Sequence, residues 1–517
     1  MKVPFFTVVL AIYPVLSIAA SNPGQVAAGT IGTTLLTAGL AASILLALVR
    51  PFFPSWSHGA LGVAVLTFLF YSYGPVHTAL ELILLDALTG TSRASRLMAV
   101  VAPHLHLIMS SVWTFLVCLG LWASRRVRPQ PAEGAVHGLN LISLFLMALV
   151  ALQWGIEKGR DIGAAGRHTS GDALGGLEVS VAGYNPDVYV IVLDGYARED
   201  VLAQHYGFDN SEFLNSLASR GFQTGAASTA NYHWTFLSLA STLNMDYVQP
   251  LMGEAISPRT ESRAAVYDAI RNNAVMRFLR DRGYRTFHLQ STWGATLHNR
   301  YADVDVPCHG SVFKDEFMRV FAEASWLKIL HARASADIAE CYLSNFDNLA
   351  AISSQPGPKF VFAHFLPPHH PYVFDRSGAV VDHVTISNQF DFQRRLWEKR
   401  DQYLDQLVFV NRRITEAVDT ILRASRRAPV IVLMSDHGPN IERGMDAEEV
   451  LRVRFANLSA LLLPEAPPGL IPPSASLVNL YRRILNHYFR TELAILPDRY
   501  YSSPFAPPYE FREVAFD

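Results

Sequence analysis

Hydrophobic residues follow two regimes along this chain, and the change falls near residue 155. Before it, almost uncharged apolar runs occupy residues 3–20, 28–49, 59–73, 100–123 and 139–154. Each approaches or reaches the roughly 20 residues that span a bilayer as a helix. The run at 59–73 is short, and residues 76–88 read as a further interfacial or re-entrant piece. After residue 155, apolar runs of strand length alternate with stretches of helical period. Strands are predicted at 187–193, 222–227, 284–289, 359–365, 429–434 and 458–463. Helices are predicted at 210–219, from near Thr235, at 264–281 and at 477–488. Tyr403, Leu407, Val410, Ile414, Val418 and Ile421 recur at spacings of three and four, which predicts a long helix with one buried face. Such alternation predicts an α/β domain whose mainly parallel sheet carries helices on both faces.

Three regions are therefore expected: a bundle of about five transmembrane helices over 1–155, a linker over 156–186, and the α/β domain over 187–517. The linker reading rests on the glycine-rich stretch G-A-A-G-R-H-T-S-G-D-A-L-G-G, which has neither period.

Charge orients the bundle. If five segments cross alternately, Lys2, Arg50 and the cluster Arg125, Arg126 and Arg128 share one side, against only Arg93 and Arg96 on the other. The positive-inside rule then puts the N-terminus in the cytoplasm and everything after Trp154 outside it. Residues 1–20 also have the form of a signal peptide, but their basic flank is only Lys2 and further spans follow, so an uncleaved helix is expected. A formal net charge of −2 with no basic stripe argues against a nucleic-acid partner. Cys118 lies in an apolar run. Cys308 and Cys341, the remaining pair, are expected to form a disulfide if they lie outside the cytoplasm.

Candidate chemistry sits where strands end. The run V-Y-V-I-V-L stops at Asp194-Gly195, and V-I-V-L-M stops at Ser435-Asp436-His437-Gly438. Ligands collect at the carboxyl ends of strands in open α/β sheets, so these residues can converge on one cation. Either aspartate alone also fits as the cap of a turn. Thr235 follows Asn231-Tyr232-His233-Trp234 at a helix start; it reads either as an N-cap or as a hydroxyl nucleophile. His364, His369 and His370 fall within seven positions around Pro367, Pro368 and Pro371, a stiff strand end suited to an anionic substrate.

This succession of a strand ending in Asp194-Gly195, Asn231-Tyr-x-x-Thr235, His364-x-x-x-x-His369-x-Pro371-Tyr372 and Ser435-Asp436-His437-Gly438 resembles the sulfatase-like branch of the alkaline phosphatase superfamily. Within it, the layout is similar to membrane-anchored hydrolase/transferases of the lipoteichoic acid synthase and phosphoethanolamine transferase type. The resemblance implies that Asp194, Thr235, Asp436 and His437 surround one divalent cation (Mn, Zn, Mg or Ca), with Thr235 as covalent nucleophile. It implies that His364 and His369 are catalytic on the substrate side, His369 contacting the transferred group or protonating the leaving oxygen; His370 stands where relatives often have proline. No Cys/Ser-x-Pro-x-Arg motif surrounds Cys308 or Cys341, which argues against a formylglycine sulfatase. The expected activity is transfer of a phospho group, phosphoglycerol- or phosphoethanolamine-like, from a membrane lipid head group to a lipid or glycan acceptor at a bacterial-type inner or cell membrane. A phosphate- or sulfate-ester hydrolase and a non-catalytic membrane scaffold are the alternatives.

Overall fold

The structure, a computed structural model, describes residues 4–22, 25–26, 28–88, 104–165, 185–310, 312–381, 396–441 and 444–516. The connection bearing Arg93 and Arg96 and the predicted linker from residue 166 to 184 lie outside them.

The chain divides into two compact units. The first holds α1 (Phe6–Ala20), α2 (Ala28–Val49), α3 (Trp56–Leu88), α4 (Leu105–Arg126) and α5 (Pro129–Ala165). Four of these are long and apolar enough to cross a membrane, and α1, with 15 residues, is shorter. Residues 59–73 and 76–88, read separately in the sequence, form one helix that continues through Pro75. A membrane helix accepts an internal proline because neighbouring groups can satisfy the carbonyl it frees. The linker expected from residue 156 begins later, since α5 carries on to Ala165. A second correction concerns the continuous domain expected over 187–517: Glu316–Arg333 interrupts it and belongs to the helical unit. This insert contains the helix Glu316–Glu323 and the 3-10 turn Trp326–Leu330.

The second unit is built on β1 (Val188–Leu193), β2 (Gln223–Thr224), β3 (Arg285–Leu289), β4 (Val304–Val306), β5 (Lys359–Phe365), β6 (Val430–Met434) and β7 (Ser459–Leu462), in the order β2-β7-β6-β1-β5-β3-β4. Strands β4, β3, β5, β1 and β6 run parallel; β7 is antiparallel to β6, and β2 to β7. Side chains of a strand alternate between faces. Tyr189, Ile191 and Leu193 accordingly join one core and Val188, Val190 and Val192 the other. The first core is covered by α7 (Arg400–Ala424) through Leu407, Val410 and Ile414. The second is covered by α6 (Thr235–Asn244) and α8 (Leu477–Phe489). Both faces being buried explains the nearly continuous apolar strands.

Two predicted elements shrink. The strand expected at 222–227 is only β2, an exposed two-residue edge. The helix expected at 264–281 breaks into Ala264–Arg271 and Ala274–Arg280, because Asn273 accepts a hydrogen bond from the Met276 amide and starts a new helix. Cys308 and Cys341 are joined as a disulfide, and Cys118 is free.

Candidate active site

Strand order brings the candidate residues together. β1 lies between β5 and β6, with Val192 level with His364 on one side and Met434 on the other. The chain therefore delivers Asp194, His364 and the Asp436-His437 pair to adjacent strand ends. Gly195 turns the chain away at φ +61°, a left-handed backbone conformation that favours glycine, with the His369 ring packed beside it. The turn is pinned across strands: the Asp194 amide donates to the Phe365 carbonyl at 2.9 Å, the His369 amide to the Asp194 carbonyl at 3.1 Å, and the Gly195 amide to Asp436 Oδ1 at 3.1 Å.

Ligand atoms of Asp194, Asp436 and His437, all buried, lie within 4.8 Å of one another. His437 Nε2 stands 3.2 Å from Asp436 Oδ2 and 3.9 Å from Asp194 Oδ1, while His364 Nε2 stands 3.5 Å from Asp194 Oδ2. Asp194 Oδ1, Asp436 Oδ2 and His364 Nε2 are buried and make no hydrogen bond. Buried polar atoms are nearly always satisfied, and unsatisfied oxygens of Asp194 and Asp436 clustered with His437 fit the ligands of a cation. The donor set of two carboxylates and imidazole suits a divalent cation.

Each histidine is held through Nδ1. His437 Nδ1 lies 2.8 Å from the Gly438 carbonyl and His369 Nδ1 2.7 Å from the His370 carbonyl. A carbonyl only accepts, so in both rings Nδ1 carries a proton and Nε2 is the atom turned toward the site. His364 Nδ1 is 2.9 Å from Thr296 Oγ1, which is itself 2.7 Å from Ser291 Oγ. The expected substrate-side position of His364 is thus shared with the carboxylate: its free nitrogen faces Asp194. The His370 ring lies against that of His369, tilted by 35°, ring centres 4.0 Å apart.

Thr235 is the first residue of α6, and Trp234 occupies the cap position without a side-chain cap. The Thr235 hydroxyl is instead 3.0 Å from His437 Nε2. Ser238, the nearest other hydroxyl on that helix, is buried and donates to the Asp436 carbonyl at 2.6 Å.

Electrostatics separate the two carboxylates. Burial alone would raise Asp194, but the imidazoles of His369 and His364 outweigh it and hold this carboxyl well below the usual aspartate range. Asp436 is pushed up, by burial first and by the Asp194 charge second. Burial, then the Arg454 charge, lowers His437 and keeps it neutral. Arg454 was not marked in the sequence; it sits in a helix, Ala447–Phe455, with no local motif. Its buried guanidinium donates to the Gly438 carbonyl at 3.3 Å and to the His233 carbonyl. Thr296 gave no signal either, since one loop threonine is indistinguishable from many.

A model of the sulfatase family matches residues 186–457, just over half of the chain. No curated protein matches it. Similar solved structures include the C-terminal periplasmic domain of EcEptC from Escherichia coli in complex with Zn, at 13% identity over 59% of this chain and 83% of that one, with a TM-score of 0.40. The C-terminal periplasmic domain of phosphoethanolamine transferase EptC from Campylobacter jejuni gives 11% identity over 61% and 97%, with a TM-score of 0.37. BT1596, a 2-O GAG sulfatase, gives 16% identity over 62% and 73%, with a TM-score of 0.38.

Proposed function

The chain belongs to the sulfatase family, and from that premise we propose that it is a membrane-anchored transferase that moves a phospho group from a lipid head group through a covalent Thr235 intermediate. One observation carries the reading: the Thr235 hydroxyl is not spent as a helix cap but stands 3.0 Å from His437 Nε2, beside the unsatisfied oxygens of Asp194 and Asp436.

Asp194, Asp436, His437 and Thr235 would hold one divalent cation. Bound there, it would supply positive charge for the threonine alkoxide and for the transferred group. Thr235 Oγ1, its proton released to solvent, attacks the phosphorus in line, forming the Thr235 O–P bond as the bond to the lipid alcohol breaks and the departing oxygen takes a proton from His369. The α6 N-terminus adds its dipole to the stabilisation of the alkoxide. His437 is held by the Gly438 carbonyl with Nε2 aimed at Thr235. His369, held the same way by the His370 carbonyl, presents Nε2 to the departing oxygen, and His364 borders the equatorial oxygens. Discharge of the phospho-threonine to a lipid or glycan hydroxyl completes transfer. Apolar helices in the same chain favour a lipid donor by keeping it at high local concentration, and the charge asymmetry of their loops favours an extracytoplasmic domain.

The test uses the full chain in vesicles containing phosphatidylglycerol or phosphatidylethanolamine. Mass spectrometry after an acid quench is expected to find a phospho adduct on Thr235 and free diacylglycerol. Thr235→Ala abolishes both, while Thr235→Ser retains part of the activity. Diacylglycerol release by Thr235→Ala at the wild-type rate would refute the nucleophile. Release independent of any acceptor other than water would make the enzyme a hydrolase.

A further inference from the structure

The insert Glu316–Arg333 has chemistry of its own. The chain leaves the α/β unit after Asp315, packs into the helical unit, and returns at Ala334. Phe317 and Phe321 are buried with Val15 and Ala19 of α1, against Ile31 and Leu35 of α2 and Phe70 and Tyr71 of α3. Phe321 meets Tyr71 edge-on, ring centres 5.9 Å apart, and Trp326 stacks on Tyr73 at 5.7 Å.

Backbone contact fixes the fit. A Cβ on Gly74 would collide with the Glu323 carbonyl and stand 2.8 Å from the Ser325 nitrogen, so α3 admits the insert only because residue 74 has no side chain. The hydrophilic end is also anchored. Lys328 Nζ lies 2.8 Å from Glu323, 3.7 Å from Glu81 and 2.8 Å from Thr78 Oγ1, and its side chain is 6% exposed.

The contacts define a depth. The apolar span of α3 ends at Glu81. Tyr71, which touches the insert, lies ten residues earlier, ~15 Å along the helix axis at 1.5 Å per residue. That is about half of a ~30 Å hydrocarbon core. Helix ends touched by the insert (the end of α1, the start of α2 and the end of α3) are those opposite Arg50 and the Arg125–Arg126 cluster. A segment at that depth has no water to face. Yet beyond the exposed Glu316 at its start, the insert leaves apolar side chains uncovered: Val320 is 43% exposed, Ile329 47% and Leu330 40%. The same kind of surface continues over the bundle at Leu36, Leu40 and Phe68.

We infer that the insert is a membrane-embedded element of the catalytic half of the chain, with Val320, Ile329 and Leu330 in contact with lipid acyl chains of the leaflet opposite the basic loops. Exposed apolar side chains are favourable there and costly in water. The inference is independent of the chemistry proposed for Thr235.

The test is spin-label accessibility in the full chain, reconstituted in phosphatidylcholine vesicles, with Cys118→Ser removing the free thiol. Labels are placed singly by Val320→Cys and Ile329→Cys, with Leu40→Cys on α2 as the lipid reference and Glu416→Cys on α7 as the aqueous reference. Labels at 320 and 329 are expected to collide with molecular oxygen several-fold more than with nickel-EDDA, as at Leu40, with the opposite preference at Glu416. Preference for nickel-EDDA at both positions would overturn the inference, and so would shielding from both reagents, which would mean that protein covers this face. All four positions are exposed, so the labels disturb no packing.

Discussion

Substituting Asp436 by asparagine separates a poised metal site from an ordinary buried polar cluster, because the two demand opposite signs. Asn is isosteric, and its side-chain oxygen still accepts from the Gly195 amide. It removes one of two carboxylates whose ligand atoms lie within 4.8 Å. Two unit charges at that separation repel by about 3 kcal/mol at an effective dielectric of about 20. Protonation of Asp436, whose pKa the Asp194 charge raises, relieves part of this in the metal-free protein. The expected gain is therefore on the order of 1–3 kcal/mol, read as an upward shift of a few degrees in the thermal midpoint of the chelated full chain. Adding Mn, Zn, Mg or Ca should reverse the order. A cation at a hundred times its dissociation constant stabilises the wild type by about 2.7 kcal/mol, and the variant should lose most of that gain. Differential scanning fluorimetry with EDTA and then with each cation measures both signs. If the chelated variant melts below the chelated wild type, the carboxylate was an internal structural partner and the metal reading fails.

Thr296→Val should leave the cation-dependent stabilisation intact but lower turnover about 10-fold or more, because His364 loses the hydroxyl that orients it; Thr296→Ser should restore most of it. Loss of cation binding in Thr296→Val would instead make His364 part of the ligand set. His233 is driven down to about 3, by burial first and by the Arg454 charge second. A depressed histidine contributes stability that is full above its unfolded value near 6.5 and is lost as pH falls towards 3, so by pH 5 the wild type should lose about 2 kcal/mol. His233→Asn should flatten the slope of thermal midpoint against pH between 7.5 and 5, and an unchanged slope would refute the assignment. A reporter fused after Lys158 should appear outside the cytoplasm and one between Arg125 and Arg128 inside; swapped results would sink the proposed orientation.

Strand ends were the legible part of the sequence. β5 was read at its observed limits and β1 and β6 to within a residue, because both faces of the central sheet are buried and their apolar runs are unbroken. Asp194 and Asp436-His437 were visible because such runs stop at them. What failed to show was set by distant partners. β2 is an edge strand of two exposed residues, with no burial pattern to read. The break at Asn273 depends on one side chain turning back to cap a helix. Thr296 and Arg454 reach the site from loop and helix positions that no local spacing marks. The membership of Glu316–Arg333 in the helical unit was equally invisible, since its helix has the amphipathic pattern of any surface helix of a soluble domain.

That insert makes the chain cross between its two units three times, near residues 160, 315 and 333. The halves are consequently not interchangeable cassettes. A fragment begun at residue 186 would carry Phe317, Phe321 and Trp326 without the Val15, Ala19 and Tyr73 that cover them, and would be prone to self-association. The helices expressed alone would leave Glu81 without Lys328 and a bare notch at Gly74. Grafting this catalytic domain onto another bundle would require transplanting a small-residue seat on the third helix as well.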